Sequence, residues 1–418
     1  MRVLAISNFF PPRDVGGAEL SAFNTCLGLQ ERGLDVSALM VNTRLPQRTD
    51  AFHSVRGVSV RERTFVPLPF GKRYLEAYDL RVDRAVRAEI RRVKPDLVHV
   101  HNVSGATLAP FVACRRLGIP VVLTLHDHWL LCPNNMLYKG NGISADPGET
   151  PRACNHCFRR YEFWANVPRR RQLFCRLVGD VQFFISPSQG TVDRHVAAGY
   201  DRSRFKVIPY GIHPAAFQPP ADPIIGEYVR QSTYLPTLLY AGALVESKGI
   251  GTLTQAIPMI AQYLKVQFLV AGQGEPACVA ALRGLDPRVV KLLGRVPFQE
   301  MRLLYAHADL TVVPSVCYDN SPMVIYESLL CGTPVLGAKI GGIPELVRDG
   351  ETGYLFPPGD AGALAEKAIL HLTHSALRRR RMRRNCSEYA RSHLTMERHV
   401  EAILAVYAEV LGGTVLER

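Results

Sequence analysis

Residues 310–338 read LTVVPSVCYDNSPMVIYESLLCGTPVLGA, and the order of chemistry in that stretch decides the fold class. A short apolar run, LTVVPS (310–315), leads into a polar loop. The segment SPMVIYESLLCG follows with helical character and is closed by Gly332, and a second apolar run, TPVLGA (333–338), comes after it. Two buried runs joined through a helix make a parallel βαβ unit. The same stretch carries two carboxylates eight positions apart, Asp319 at the loop and Glu327 in the helix. A segment otherwise fit for burial must therefore hold something with them.

The rhythm continues on both sides. Toward the N-terminus, RVLAIS (2–7), DVSALMV (35–41), DLVHVH (96–101), IPVVLTLHD (119–127) and QFFISPS (182–188) read as strands. Helical segments lie between them: GGAELSAFNTCLGLQERG (16–33), a stretch at 74–94 with Leu75, Val82, Val86, Ile90 and Val93 on one face, and another near 105–117. A proline-dense stretch, VIPYGIHPAAFQPPADP (207–223), interrupts the pattern as a linker would. It restarts with TLLYAGA (237–243), VQFLVAGQG (266–274) and VVKLLG (289–294). The expected architecture is α/β, with two Rossmann-like domains facing a central cleft, spanning 1–206 and 207–394. A C-terminal helix at 395–418 carries Val400, Ile403, Leu404, Tyr407 and Leu411 at helical spacing and packs back toward the N-terminal domain. Sheets of this kind bind ligands outside the carboxyl ends of their strands.

At 418 residues, 47% apolar and 21% charged, the chain has material for two cores and is not a disordered protein. No apolar run approaches the length of a membrane span. Met1-Arg2 runs straight into VLAIS, too short for a signal-peptide core, so a cytoplasmic location is expected. The net charge of +13 is uneven: 29 Lys and Arg stand against 18 Asp and Glu before residue 205. That half should prefer phosphate groups or an acidic membrane surface. Nucleic acid is not expected, because no nucleic-acid-binding motif accompanies the arginines. RRRRMRR (378–384) reads as a solvated helix face, with anion binding as the alternative.

Several residues at strand ends have the right chemistry for an anionic ligand. Gly16 and Gly17 open a helix directly after the first strand, where backbone amides favour an anion; a plain tight turn is the alternative. Lys248, in YAGALVESKGI (240–250), precedes another helix start and can neutralise a phosphate, unless it is merely a surface lysine. Glu327 can accept hydrogen bonds from vicinal hydroxyls. Asp319 and the amides of Asn320, Ser321, Pro322, Met323 and Val324 can meet further hydroxyls or an anion, and simple helix-dipole acids are the alternative. His126 lies just past a buried strand at the expected cleft edge, in a structural or a catalytic role.

Taken in order, PPRDVGGAE, DLVHVHN, LTLHDHWLLCP, ISPSQG, VIPYGI, YAGALVESKGI, HADLTVVPS and YDNSPMVIYESLLCGTPVLGAKIGGIPELVRDGETGYLFPPGD give the chain a likeness to a known family. Over nearly its full length it resembles the family 4 glycosyltransferases, retaining enzymes of the GT-B fold. The resemblance implies transfer of a sugar from a UDP- or GDP-linked donor to a hydroxyl of a glycan or lipid-linked acceptor, as in cell-surface polysaccharide or glycolipid synthesis. It implies Glu327 on the donor ribose, Asp319 and the amides after it on sugar and diphosphate, and Lys248 on the diphosphate. Gly16 and Gly17 would face that diphosphate, His126 would stand beside the donor sugar, and backbone around Arg295 and Val296 would read the base. No catalytic metal is implied.

The chain departs from the family pattern in places. Asp319 replaces the commoner Glu. Ala243 stands where an Arg often shares the diphosphate with the Lys, leaving Lys248 as the main cation unless Arg13 substitutes. Tyr210 and His213 occupy linker positions where Asn and Asp are frequent and read as structural drift. Ala243 favours a rival reading, a nucleotide-sugar-binding protein with little or no turnover. A sugar-nucleotide epimerase of the same architecture is the rival among enzymes.

Two further features remain. Cys154 and Cys157 form a CxxC of zinc-knuckle spacing and, with the distant Cys132 and His156 or Cys175 as a fourth ligand, could hold a structural zinc; ordinary thiols, and a disulfide or redox cluster, stay open. From 158 to 176, Phe158, Tyr161, Phe163, Trp164 and Phe174 interleave with six arginines. That composition suits peripheral contact with the inner face of an anionic membrane, or aromatics packed into the domain under solvated arginines.

Overall fold

A computed structural model of the chain describes residues 1–11, 13, 16–67, 77–132, 135–138, 167–213 and 235–413. The chain divides into two compact units. One comprises Met1–Leu137, Ala145–Gly211 and Met396–Arg418, the other Tyr138–Ser144 and Ile212–Thr395.

The first unit is built on an eight-stranded sheet. Its strands are β1 (Arg2–Ser7), β2 (Asp35–Asn42), β3 (Thr49–Val55), β4 (Val58–Thr64), β5 (Leu97–Val100), β6 (Val121–Thr124), β7 (Phe184–Ser186) and β8 (Phe205–Val207). The order is β3-β4-β2-β1-β5-β6-β7-β8, parallel throughout except for the β3–β4 pair. β5 and β6 are buried along their whole length, as strands covered on both faces must be. The β3–β4 hairpin departs from the sequence-based expectation. Its turn, Arg56-Gly57, takes positive φ at both residues, and β3 alternates between half-buried and exposed positions as an edge strand does.

Helix Met396–Val410 belongs to this first unit, as expected. Its apolar stripe of Met396, Val400, Ile403, Val406 and Tyr407 joins Phe10, Ala22, Cys26 and Leu29 in one core. Gly28 permits the close approach to helix Gly17–Glu31, because a Cβ there would sit 2.5 Å from Val400 Cγ2.

The second unit carries a six-stranded parallel sheet of β9 (Thr237–Ala241), β10 (Gln267–Ala271), β11 (Val290–Gly294), β12 (Leu310–Val313), β13 (Val335–Ala338) and β14 (Gly353–Phe356). Its order is β11-β10-β9-β12-β13-β14. Strand order reverses between β9 and β12, so the loops leaving those two strands flank the switch point where doubly wound sheets bind ligands. The opening βαβ reading holds, with helix Met323–Leu330 between β12 and β13. The arginine-rich stretch lies on helix Ala376–His393 with Arg378, Arg380, Arg381 and Arg384 exposed. Arg383 is not merely solvated: it donates to the Ala306 and Ala308 carbonyls at the end of helix Phe298–His307. No helix among the described residues is long and apolar enough to cross a membrane.

Candidate functional site

In the second unit the loop after β9 turns through Glu246–Lys248 into helix Ile250–Tyr263. Gly249 makes the turn possible. It has φ +79°, and a Cβ there would lie 1.8 Å from the Pro314 carbonyl oxygen. The close approach sets Lys248 against the loop leaving β12. Lys248 Nζ donates to Asp319 Oδ2 at 2.6 Å, and Ser315 Oγ donates to the same oxygen at 2.9 Å. Burial opposes the Lys248 charge, but Asp319 and Cys317 outweigh it and raise its proton affinity. The Asp319 carbonyl accepts from Gly342 N at 2.8 Å, which fixes the loop from its other side. Sequence spacing suggested the two acids worked together; in the structure the pair is Lys248 with Asp319.

Glu327 has a different partner. It is 6% exposed on helix Met323–Leu330, and its Oε2 accepts from Tyr305 Oη at 2.7 Å. Burial pushes the Glu327 carboxyl up to about 7, with the Tyr305 hydroxyl pulling it back. Tyr305 is fully buried, and its own carbonyl accepts from Thr333 Oγ1. Asn320, Ser321 and Met323 are buried at the start of the Glu327 helix and Val324 is half-buried. Pro322 is the N-cap and carries no N–H, so the amides available there come from its neighbours. Arg295 is exposed and Val296 half-buried, just beyond the end of β11. Ala243 is exposed, and its carbonyl accepts from Tyr240 Oη at 2.6 Å.

In the first unit Gly16 and Gly17 are exposed at the start of helix Gly17–Glu31. The Gly16 amide donates to Glu19 Oε2 at 3.1 Å, so the helix places its own acid at its N-terminus. Arg13 does not stand in for the missing arginine at 243, because its guanidinium grips Glu62 on β4, with Nε at 2.9 Å from Oε1.

His126 follows β6 and sits in a stack of rings. Its Nδ1 meets Tyr210 Oη at 2.7 Å, and its Nε2 meets His101 Nδ1 at 3.2 Å. His101 stacks on His99 at 4.0 Å. The two nitrogens of His99 engage Tyr407 Oη at 2.6 Å and Thr124 Oγ1 at 2.7 Å. Burial lowers His126 and His99 to about 3. Asp127, next in sequence, accepts from Trp129 N at 2.8 Å, and burial raises its carboxyl to about 6. Sequence reading missed Tyr305, Tyr210, His101 and Asp127. The spacing of His99 and His101, two residues apart on one strand face, was the available signal for the stack. Of the cysteine trio, Cys154 and Cys157 lie outside the described residues. Cys132 is half-buried, and no group of three His, Cys, Asp or Glu among the described residues could hold a metal. From the aromatic-basic segment Phe174 is described: it is buried, with the Arg170 guanidinium 3.9 Å from its ring centre.

Residues 15–216 match the family model described as Glycosyltransferase Family 4, and residues 235–374 match that described as Glycosyl transferases group 1. The chain belongs to glycosyltransferase family 4. Among this glycosyltransferase's relatives is the D-inositol 3-phosphate glycosyltransferase of Acidothermus cellulolyticus, 27% identical over 430 residues, covering 95% of this chain and 86% of the relative. Among solved structures, the sucrose-phosphate synthase of Thermosynechococcus elongatus superposes with a TM-score of 0.74 at 20% identity, over 99% of this chain and all of that one. HepE of Anabaena, in complex with UDP and glucose, gives 0.70 at 19% identity over 98% of this chain and all of its own. The structural neighbours of this glycosyltransferase are GT-B enzymes, and its two sheets are of the Rossmann-like kind.

Proposed function

We propose that this glycosyltransferase moves a hexosyl unit from a nucleotide sugar to a hydroxyl of a glycan or lipid-linked acceptor, with retention at the anomeric carbon. The observation that carries the reading is the Lys248–Asp319–Ser315 cluster at the β9/β12 switch point, with the buried carboxyl of Glu327 on the helix that follows. Lys248 meets the diphosphate, Asp319 and the amides at 320, 321, 323 and 324 meet sugar and phosphate, and Glu327 takes the ribose hydroxyls. Backbone at Arg295 and Val296 reads the base, Gly16 and Gly17 face the diphosphate, and His126 faces the donor sugar.

The chemistry this arrangement supplies is charge stabilisation on a departing diphosphate by a fixed cation and helix amides, and it needs no metal. The complex of HepE with UDP and glucose supports a uridine nucleotide as the first donor to test. The positive surplus in the first half supports an acidic or membrane-bound acceptor at the cytoplasmic face of a membrane, in surface-glycan synthesis. Ala243, and Arg13 held by Glu62, favour a second reading in which donor binds and turns over slowly.

A thermal-shift screen with UDP, GDP, ADP and their sugar conjugates on wild type and Glu327→Ala tests the reading. Ligand at about 100 times its Kd stabilises a fold by about 2.7 kcal/mol. One nucleotide should shift wild type and not the variant, and NMR of the product should show a retained anomeric configuration. No shift with any nucleotide overturns the donor site, and binding without transfer leaves the second reading.

A further inference from the structure

Tyr210 occupies the linker position that read as drift, yet it is 4% exposed and touches the proposed donor-side histidine directly. Its ring lies nearly parallel to the His126 imidazole, 18° apart with centres at 5.4 Å, and its hydroxyl is 2.7 Å from Nδ1. The opposite nitrogen, Nε2, is 3.2 Å from Nδ1 of His101. His101 is itself pinned: it is 2% exposed and stacked on His99. The residue before Tyr210 is held as well, since the Pro209 carbonyl accepts from His399 Nδ1 at 2.7 Å. These contacts all lie within the first unit.

A neutral imidazole carries one hydrogen, and the bond made by one ring nitrogen decides the role of the other. If Tyr210 donates to Nδ1, then His126 bears its hydrogen on Nε2 and donates to His101. If the hydrogen sits on Nδ1, both bonds reverse and His101 must donate. A phenol is the better donor of the two hydroxyl roles, which selects the first arrangement.

We propose that Tyr210 is a positioning residue that acts through His126, fixing the plane of its imidazole and holding its hydrogen on Nε2 while His101 accepts. The inference rests on the reading of His126 as the group beside the donor sugar. Removing the Tyr210 hydroxyl leaves Nδ1 unpaired, releases the tautomer and lets the ring tilt. Binding of the nucleotide, which the reading assigns chiefly to Lys248, Asp319 and Glu327 of the second unit, should be untouched. The expected signature is a loss in kcat rather than in KM.

The test is a long-range ¹H–¹⁵N spectrum of the full-length protein labelled at histidine, with His126 assigned by its absence in His126→Gln. Wild type should show His126 with an acceptor-type Nδ1 and a protonated Nε2. Tyr210→Phe should move Nδ1 toward an unbonded or mixed-tautomer position. It should also lower kcat about 10-fold, the scale of a misplaced catalytic group, with KM for the nucleotide sugar unchanged within about 2-fold. A wild-type spectrum with the hydrogen on Nδ1 overturns the proposal and does not need the variant to fold. So does a Tyr210→Phe protein with an unchanged His126 spectrum. If the spectra behave as expected but no nucleotide sugar is bound, the hydrogen-bond wiring stands and it is the function reading that fails.

Discussion

The hydroxyl of Tyr305 lies 2.7 Å from Oε2 of Glu327, two residues 22 positions apart on neighbouring helices, and it is the bond that keeps a buried carboxyl near neutrality. Burial alone would push Glu327 further up, and the Tyr305 hydrogen bond is the influence that brings it down. Tyr305→Phe should therefore raise Glu327 above about 7 and leave it protonated at neutral pH. A hydrogen bond to a charged group is worth about 1.5–3 kcal/mol, so nucleotide affinity at about pH 7 should fall roughly 10-fold or more. Part of it should return as the pH is raised. Calorimetric titration with UDP across pH checks this, and an unchanged pH profile would count against the Tyr305 role.

The same carboxyl costs stability. Its folded value of about 7 lies above its ordinary 4.5, so the native state binds the proton more tightly than the unfolded one. Its contribution to stability is full below about 4.5 and is lost as pH rises through about 7, a difference on the order of 3 kcal/mol. Glu327→Gln removes that loss. It should melt higher than wild type at pH 8 and nearly level with it at pH 5, while binding nucleotide poorly. Scanning calorimetry at the two pH values, beside a binding assay, separates the two effects.

Lys248 and Asp319 should behave as one unit. Removing the lysine leaves a carboxylate held by Ser315 facing the incoming diphosphate, so repulsion adds to the lost attraction. Lys248→Ala should weaken donor binding more than Lys248→Ala combined with Asp319→Asn. Residues in one ion-paired network typically couple by about 0.5–3 kcal/mol, and a double-mutant cycle reads that energy. Simple additivity would mean the pair does not act together on the ligand.

Acid should attack the first unit through its histidines. His99 and His126 sit at about 3, and His195 and His399 at about 4, all below the ordinary 6.5 because burial disfavours their charge. The native state then binds fewer protons than the unfolded one. Stability is full above about 6.5 and drains as pH falls toward about 4, at roughly 1.4 kcal/mol per unit for each independent histidine. Against a typical total of about 5–15 kcal/mol, a few such groups suffice to unfold a domain. Near-UV circular dichroism should show a cooperative loss of first-unit packing between about pH 5 and 4. His195→Phe, which removes one of these groups, should move the midpoint lower.

What could be read from the sequence was whatever periodicity and chain order record. The 310–338 stretch carried its own βαβ, the alternation carried two α/β halves, and Val400, Ile403 and Tyr407 marked a helix with a face to bury. The β3–β4 hairpin escaped because its edge strand, half-buried only at Thr49, Ala51, His53 and Val55, holds no continuous apolar run to mark it, although Arg56-Gly57 between alternating residues was its signal. Lys248 and Asp319 stood out as charges at strand ends, but their ion pair closes over 71 residues and no local pattern encodes it. Tyr305 and Tyr210 were illegible for the same reason. A tyrosine at helical spacing, or beside a proline, looks like packing until its hydroxyl is seen to land on a particular carboxylate or imidazole.

The return of helix Met396–Val410 to the first unit bears on the order in which the protein is made. Phe10, Ala22, Cys26 and Leu29 are synthesised first, but the Val400, Ile403 and Tyr407 side chains that complete their core come nearly four hundred residues later. The second unit has every strand of its sheet, all within Ile212–Thr395, before that helix leaves the ribosome. On the nascent chain the later half can close first, while the earlier half waits with an apolar seam uncovered. Chaperones would find that seam, and a ribosome stalled before residue 396 would release a chain whose second half is finished and whose first half is not.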